Sequence, residues 1–254
     1  MCRMLILNGD FRKDEKQIFD AMREVTVSDP YSLEAFGKII THNDGWGYVS
    51  YSSDKISHYR SITPYFESEV PEISGEILML HVRKAGKAGP FGLVNSHPYY
   101  RTTARYDIYL AHNGFLGKTE MQTGASEEYL QSHSDSEIFL DRMVTFPGNV
   151  SSMLEQSIEF VYKNNALKGA INLFVLAIDR NTGRPEIYAY TDATKYTLYL
   201  ELYFIDFGDY SGIFSSSLLT SKHFPRFREK TTLKRGIIYE IKGNELNDIS
   251  TIKV

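Results

Sequence analysis

The sequence predicts an α+β layered fold, two packed sheets flanked by helices, and three observations support this. Short runs rich in β-branched and aromatic residues dominate the chain, and helical periodicity is confined to a few segments. Those segments fall in pairs between groups of strands instead of alternating with them one to one, as a doubly wound parallel sheet would require.

Strands are expected at 3–7, 46–51, 56–62, 77–83, 107–112, 170–178, 186–191, 196–205 and 236–241. Apolar side chains recur at three- and four-residue spacing over 13–25, 32–40, 134–143 and 150–162, which predicts helices there. The longest apolar run, 170–178, is interrupted by Asn172 and is far shorter than the roughly 20 residues that cross a bilayer, so it reads as a buried strand. The aromatic residues Tyr188, Tyr190, Tyr196, Tyr199, Tyr203, Phe204, Phe207, Tyr210 and Phe214 stand at near-alternate spacing and most simply pack a sheet. The glycines at 86, 89 and 92 lie in a stretch that lacks the Gly-Lys-Ser/Thr close of a phosphate loop, so 84–93 is expected to be a loop able to close over a site. No Pro, Gly or Ser-rich linker and no repeat divides the sequence, which predicts one domain over 1–254.

Composition narrows the function. Apolar residues at 42% and charged residues at 24% match a soluble globular protein and exclude disorder. The net charge of −4, with no dense cluster of Lys and Arg, argues against nucleic acid as a partner, and no segment suggests a membrane. The first ten residues lack the basic-then-apolar-then-small order of a secretory signal, so a cytoplasmic location is expected. A single cysteine excludes an intrachain disulfide and a thiolate-rich metal site. The seven histidines show none of the short helical spacings of a zinc site, so neither a metal nor another cofactor is expected.

Several clusters are hard to explain by packing alone: Cys2-Arg3, Asn43-Asp44-Gly45-Trp46-Gly47, His81-Val82-Arg83-Lys84-Ala85, Asn95-Ser96-His97-Pro98, Ala111-His112-Asn113-Gly114 and Ser134-Asp135-Ser136-Glu137. This ordered set resembles the class II glutamine amidotransferases, particularly their small stand-alone members, and the resemblance covers roughly residues 1–140. It implies a four-layer αββα N-terminal-nucleophile hydrolase sandwich of two antiparallel sheets. It also implies hydrolysis of the glutamine amide to glutamate and ammonia through a Cys2 thioester, with Asn113 and Gly114 forming the oxyanion hole. Arg83 would hold the substrate carboxylate and Asp135 its amino group.

The residues support that chemistry on their own. An N-terminal cysteine carries nucleophile and base in one residue, because its α-amine is positioned to take the thiol proton and return it to departing ammonia. This requires loss of Met1, which the small Cys2 side chain permits. Asn113-Gly114 offers a side-chain amide and a closely approaching backbone N–H for an oxyanion, although an Asn-Gly pair is also a common strand-ending turn. Glutamine carries a carboxylate and an ammonium group, so a selective pocket needs one cation and one anion; arginine binds carboxylate through two parallel hydrogen bonds. For Asp135 the alternative is a structural one, since Ser134 and Glu137 read as a capping box and an acid in the first helical turn offsets the dipole. His97, with Asn95, is assigned to the substrate side, where its ring either orients neighbouring groups or makes the hydrogen bonds of a structural histidine. Trp46, between two glycines, reads as core packing. The hydroxyls of the run 214–218 are candidates for the back of the pocket.

Two departures from the biosynthetic members stand out: Arg3 replaces Gly, and Lys84-Ala85-Gly86 replaces Trp-Ala-Thr. The second removes a hydroxyl next to the substrate and leaves three functions open. The first is glutamine hydrolysis supplying a separate synthetase, since 254 residues leave no room for a second catalytic domain. The second is hydrolysis of a γ-glutamyl amide within a larger metabolite, and the third is a catalytically silent binding or regulatory domain.

Overall fold

The computed structural model describes residues 2–53, 55–73, 75–86, 89–193, 195 and 197–252. In chain order the elements are β1 (Arg3–Gly9), α1 (Glu15–Val27), α2 (Pro30–Phe36), β2 (Trp46–Ser52), β3 (Lys55–Ser61), β4 (Ile77–Val82), β5 (Tyr99–Thr102) and β6 (Tyr106–Leu116). They continue with α3 (Lys118–Met121), α4 (Glu127–Ser132), α5 (Asp135–Met143), α6 (Val150–Lys163), β7 (Leu167–Asp179), β8 (Pro185–Ala193), α7 (Thr197–Leu200), β9 (Leu202–Asp206), β10 (Tyr210–Ser215), β11 (Glu229–Thr232), β12 (Ile237–Lys242) and β13 (Glu245–Thr251).

One sheet runs β11-β9-β10-β1-β4-β2-β3 and the other β13-β12-β8-β7-β6-β5. Every pairing within them is antiparallel. Alternation along the strands builds the layers. In β1, Met4 and Ile6 enter the core between the sheets, while Leu5 and Leu7 face α1 on the outer side. In β7, Phe174 and Leu176 meet them across the middle, while Leu173 and Val175 face α5 and α6. The central strands are therefore covered on both faces, which explains why they read as continuous apolar runs instead of alternating ones. Each side chain fully buried in this way contributes about 1.5–3 kcal/mol. The result is the four-layer αββα sandwich expected from the sequence.

The helices follow their sequence signals, except that the one expected over 32–40 runs over Pro30–Phe36. Ile18, Ala21, Met22 and Val25 form the buried stripe of α1. Pro30 opens α2 behind the Asp29 cap, and Gly37, with φ 68°, closes it in the left-handed conformation. At α5 the capping box forms only by half. Ser134 Oγ accepts from Glu137 N at 3.0 Å, but the Glu137 carboxylate accepts from Arg101 Nη2 at 2.9 Å instead of reaching back.

One expected strand is corrected. The segment 196–205 does not start as a strand, since 197–200 forms the helical turn α7 before β9 begins; Tyr196 lies outside the described residues. The other aromatic residues of that group are buried, as sheet packing requires. Trp46 is likewise core: its Nε1 donates to Ser68 Oγ at 2.9 Å and its ring packs on Tyr59 and Tyr65.

Candidate active site

The site forms where the starts or ends of central strands from both sheets meet. Cys2 immediately precedes β1, Arg83 immediately follows β4, and the register pairs Arg3 with Val82. From the facing sheet, β6 delivers His112, Asn113 and Gly114, and the start of α5 delivers Asp135. Cys2, Arg83, Lys84, His97, His112, Gly114 and Asp135 line one cavity of about 500 Å³.

Cys2 is held at three points. Its backbone N donates to Asn113 Oδ1 at 2.8 Å, its carbonyl accepts from Arg3 Nη1 at 3.0 Å, and Lys84 N donates to its Sγ at 3.4 Å. Because Asn113 Oδ1 is the acceptor, its Nδ2 must point elsewhere, and that Nδ2 is buried with no hydrogen-bond partner among the described residues. Asn113-Gly114 is not a strand-ending turn. Both residues lie inside β6, opposite Asn172 and Ile171, just before a register shift. A Cβ at Gly114 would collide with the Ala170 carbonyl oxygen and with His112 Nε2, so only glycine fits.

Arg83 is buried and donates through Nη2 to Pro90 O at 2.7 Å, while its Nη1 has no hydrogen-bond partner among the described residues. Asp135 Oδ2 accepts from Leu116 N at 2.8 Å and Oδ1 from Ser136 N at 3.0 Å. It is thus a first-turn acid and a cavity wall at once, so the two sequence readings are compatible.

A stack of buried imidazoles backs the cavity. The rings of His81 and His97 lie 4.1 Å apart, and Tyr99 meets His97 edge-on. His81 Nε2 is 3.2 Å from His112 O, and His112 Nδ1 is 2.9 Å from Ser136 Oγ. Burial pushes His81 down to about 3, with the Arg83 charge adding to it. Burial also holds His97 well below the ordinary range, and His81 adds to it; His112 is lowered by burial against the pull of Asp135. All three imidazoles are therefore neutral at pH 7. Neither ring nitrogen of His97 has a hydrogen-bond partner among the described residues.

Two placements depart from expectation. Asn95 is not part of the cavity lining; its Nδ2 donates to Phe91 O at 3.2 Å and holds the preceding loop. The hydroxyls of 214–218 also lie elsewhere, with Ser215 bonded to both backbone groups of Met4 and Ser216 to Leu198 O. Of the loop 84–93, residues 87 and 88 lie outside the described residues, as does Met1.

Other residues gain roles that the sequence reading did not assign. Asp44 accepts from Ala85 N at 2.9 Å and pairs with Lys84 Nζ at 3.2 Å, while Asp44 N and Gly45 O bond the Arg83 backbone, fixing the segment whose Lys84 N–H touches the thiol. A Cβ at Gly47 would strike the His97 carbonyl, so this glycine lets β2 lie against the histidine segment. The Asn43-Asp44-Gly45-Trp46-Gly47 cluster was the available signal for both.

Among the described residues no group of His, Cys, Asp and Glu is arranged to hold a metal ion, and no helix is long and apolar enough to cross a membrane. The chain is similar in structure to the glutamine phosphoribosylpyrophosphate amidotransferase of B. subtilis, with a TM-score of 0.66 and 15% identity over 98% of this chain and 49% of that one. It therefore spans about half the length of that protein. It is also similar to a glutamine aminotransferase class-II domain protein of Silicibacter pomeroyi, with a TM-score of 0.55 and 13% identity over 99% of this chain and 100% of that one. At such identities the likeness shows the fold, that of the N-terminal-nucleophile hydrolases. No curated protein matches the sequence. Residues 19–169, well over half of the chain, match the class-II glutamine amidotransferases, and the chain belongs to that family of amide-hydrolysing enzymes.

Proposed function

We propose that the protein hydrolyses the glutamine side-chain amide to glutamate and ammonia through a thioester on Cys2, and that the ammonia passes to a separate synthetase. The observation that carries this reading is the convergence of a thiol, a guanidinium and a carboxylate on one cavity. With Met1 removed, the Cys2 amine takes the thiol proton, and the thiolate adds to the amide carbon. Asn113 Nδ2 and the Gly114 N–H hold the resulting oxyanion. The ammonium then protonates the leaving nitrogen, ammonia departs, and a thioester remains. Water, deprotonated by the same amine, adds to the thioester, and glutamate leaves as the thiol is restored.

Arg83 binds the substrate carboxylate through the guanidinium edge that carries Nη1, and Asp135 binds the ammonium. Arg83→Lys and Asp135→Asn are each expected to raise KM about tenfold or more while kcat falls by a smaller factor, because both residues touch the unreactive end of the substrate. Steady-state ammonia release checks this; normal KM in both variants would leave Asp135 a helix-capping acid and nothing more.

Retention of Met1 is expected to abolish turnover, since it locks the Cys2 nitrogen in a peptide bond and removes the base. Intact mass spectrometry of active material decides the matter: full activity from a homogeneous sample one methionine heavier overturns the N-terminal-nucleophile reading.

A second reading keeps the site and enlarges the substrate to a γ-glutamyl amide of a bigger amine. Phe115, 59% exposed, lines the cavity, and Gly86 adds no side chain there. Incubating the processed protein with glutamine and a panel of γ-glutamyl amides, and measuring ammonia and released amine, separates the two. Silence toward all of them, with no labelling of Cys2 by a glutamine-shaped electrophile, would mark a binding or regulatory domain instead.

A further inference from the structure

Cys2 stands outside the hydrogen-bonded ladder, which begins with Arg3 opposite Val82. As the first residue of the processed chain it would fray like any terminus unless gripped from elsewhere. Asn113 grips its nitrogen from the facing sheet, and Arg3 grips its carbonyl.

Arg3 is fully buried at the start of β1, directly before the apolar run Met4-Leu5-Ile6-Leu7. Its Nε pairs with Asp29, its Nη1 donates to Cys2 O at 3.0 Å and to Tyr199 O at 3.1 Å, and its guanidinium lies 3.7 Å over the Tyr199 ring. Asp29 is itself fixed from three sides: Oδ2 lies 3.2 Å from His42 Nε2 and accepts from Ser217 Oγ at 3.3 Å, and Oδ1 accepts from Tyr31 N at 3.2 Å. For stability alone such a pair is poorly spent, since well-packed apolar residues in place of a buried ion pair are often as stable or more so. What an apolar residue at position 3 could not do is reach back and bond the carbonyl of residue 2.

We infer that Arg3 is a positioning residue for the nucleophile: anchored by Asp29 and Tyr199, it fixes the Cys2 carbonyl so that the Cys2 nitrogen stays on Asn113 and the thiol stays at the cavity. This rests on Cys2 acting as nucleophile. Arg3 touches no substrate; it acts through the geometry of Cys2, where a misplacement of about 1 Å costs about a hundredfold in rate.

Two variants test it. Arg3→Lys keeps a cation beside Asp29 but replaces the planar fork with a single ammonium that cannot serve Asp29 and both carbonyls together. Arg3→Leu combined with Asp29→Asn removes both charges, so no unpaired ion is buried, and it carries the test if the single variant fails to fold. In each folded variant kcat for glutamine is expected to fall about a hundredfold while KM stays within about threefold. Crystal structures of the variants should show Cys2 N released from Asn113 Oδ1. A folded variant with wild-type kcat and Cys2 still bonded to Asn113 overturns the inference and reduces Arg3 to packing. If the wild-type protein turns over neither glutamine nor any γ-glutamyl amide, the proposed function fails separately, and the position of Cys2 in the variant crystals still decides the role of Arg3.

Discussion

Cys2→Ala is expected to lower amide hydrolysis by far more than a hundredfold while leaving the fold in place, since loss of a covalent nucleophile costs about 10⁴-fold or more. It is the one cysteine of the chain, so no other thiol can substitute. The structural cost is small because Sγ faces the cavity and bonds only the Lys84 backbone, and both anchors of residue 2, on Asn113 and Arg3, are main-chain contacts that alanine keeps. Ammonia release measured beside a thermal melt checks both halves. A well-folded Cys2→Ala protein that kept more than about a hundredth of the wild-type rate would eliminate the thioester route.

The second large effect is on stability in acid. His42, His81, His97 and His112 are buried and neutral in the fold; burial pushes His42 down to about 4, outweighing its bond to Asp29, and His81 down to about 3. In the unfolded chain each takes up a proton near pH 6.5. Between that value and the lowered folded value the unfolded state binds more protons, so stability rises with pH across the window. The contribution is complete above about pH 6.5 and is lost progressively as pH falls below it, at about 1.4 kcal/mol per pH unit for each histidine. Asp29, whose carboxyl is raised by burial but lowered further by His42 and Arg3, acts in the same direction at lower pH. Urea unfolding at a series of pH values from 7.5 to about 4.5 should give a steadily falling midpoint; a flat midpoint from pH 7 to about 5 would show that these imidazoles are solvated or charged in the folded protein.

The fold was legible over most of the strands and helices that bury an apolar face, although the short β5 and the buried β10, whose apolar run is broken by Ser211 and Gly212, were not expected. Two further hidden strands are of another kind: β11 is Glu-Lys-Thr-Thr, exposed throughout, and β13 is mostly polar, so neither carries the pattern that marks a strand. β11 is placed by its pairing with β9, and β13 by the hairpin it forms with β12. The aromatic stretch before β9 misled for a related reason, because Tyr199 is drawn into a helical turn against Arg3, a contact composition does not reveal. In the candidate site, Cys2, Arg83, Asn113, Gly114 and Asp135 stood out because they sit in short motifs, and the fold brings them together: four line one cavity and Asn113 bonds the Cys2 nitrogen. Arg3 was visible only as a departure from the glycine of the biosynthetic members, since its contacts with Asp29 and Tyr199 lie far away in sequence. Asn95 shared a motif with His97, yet the turn points its amide at the Phe91 carbonyl instead.

The central place of β1 has a consequence for anyone wishing to transplant this chemistry. The stretch that matches the family ends at residue 169, yet β1 has β10 as one of its two neighbours, β6 has β7, and the Arg3 guanidinium rests on Tyr199. A fragment that began at Cys2 and stopped at residue 169 would carry every motif and still leave β1 and β6 each with a raw edge, open to pairing with other chains. Recombination in this protein must therefore respect its sheets, not its motifs: the last third of the chain, chemically anonymous, is the wall against which β1 and Cys2 are braced.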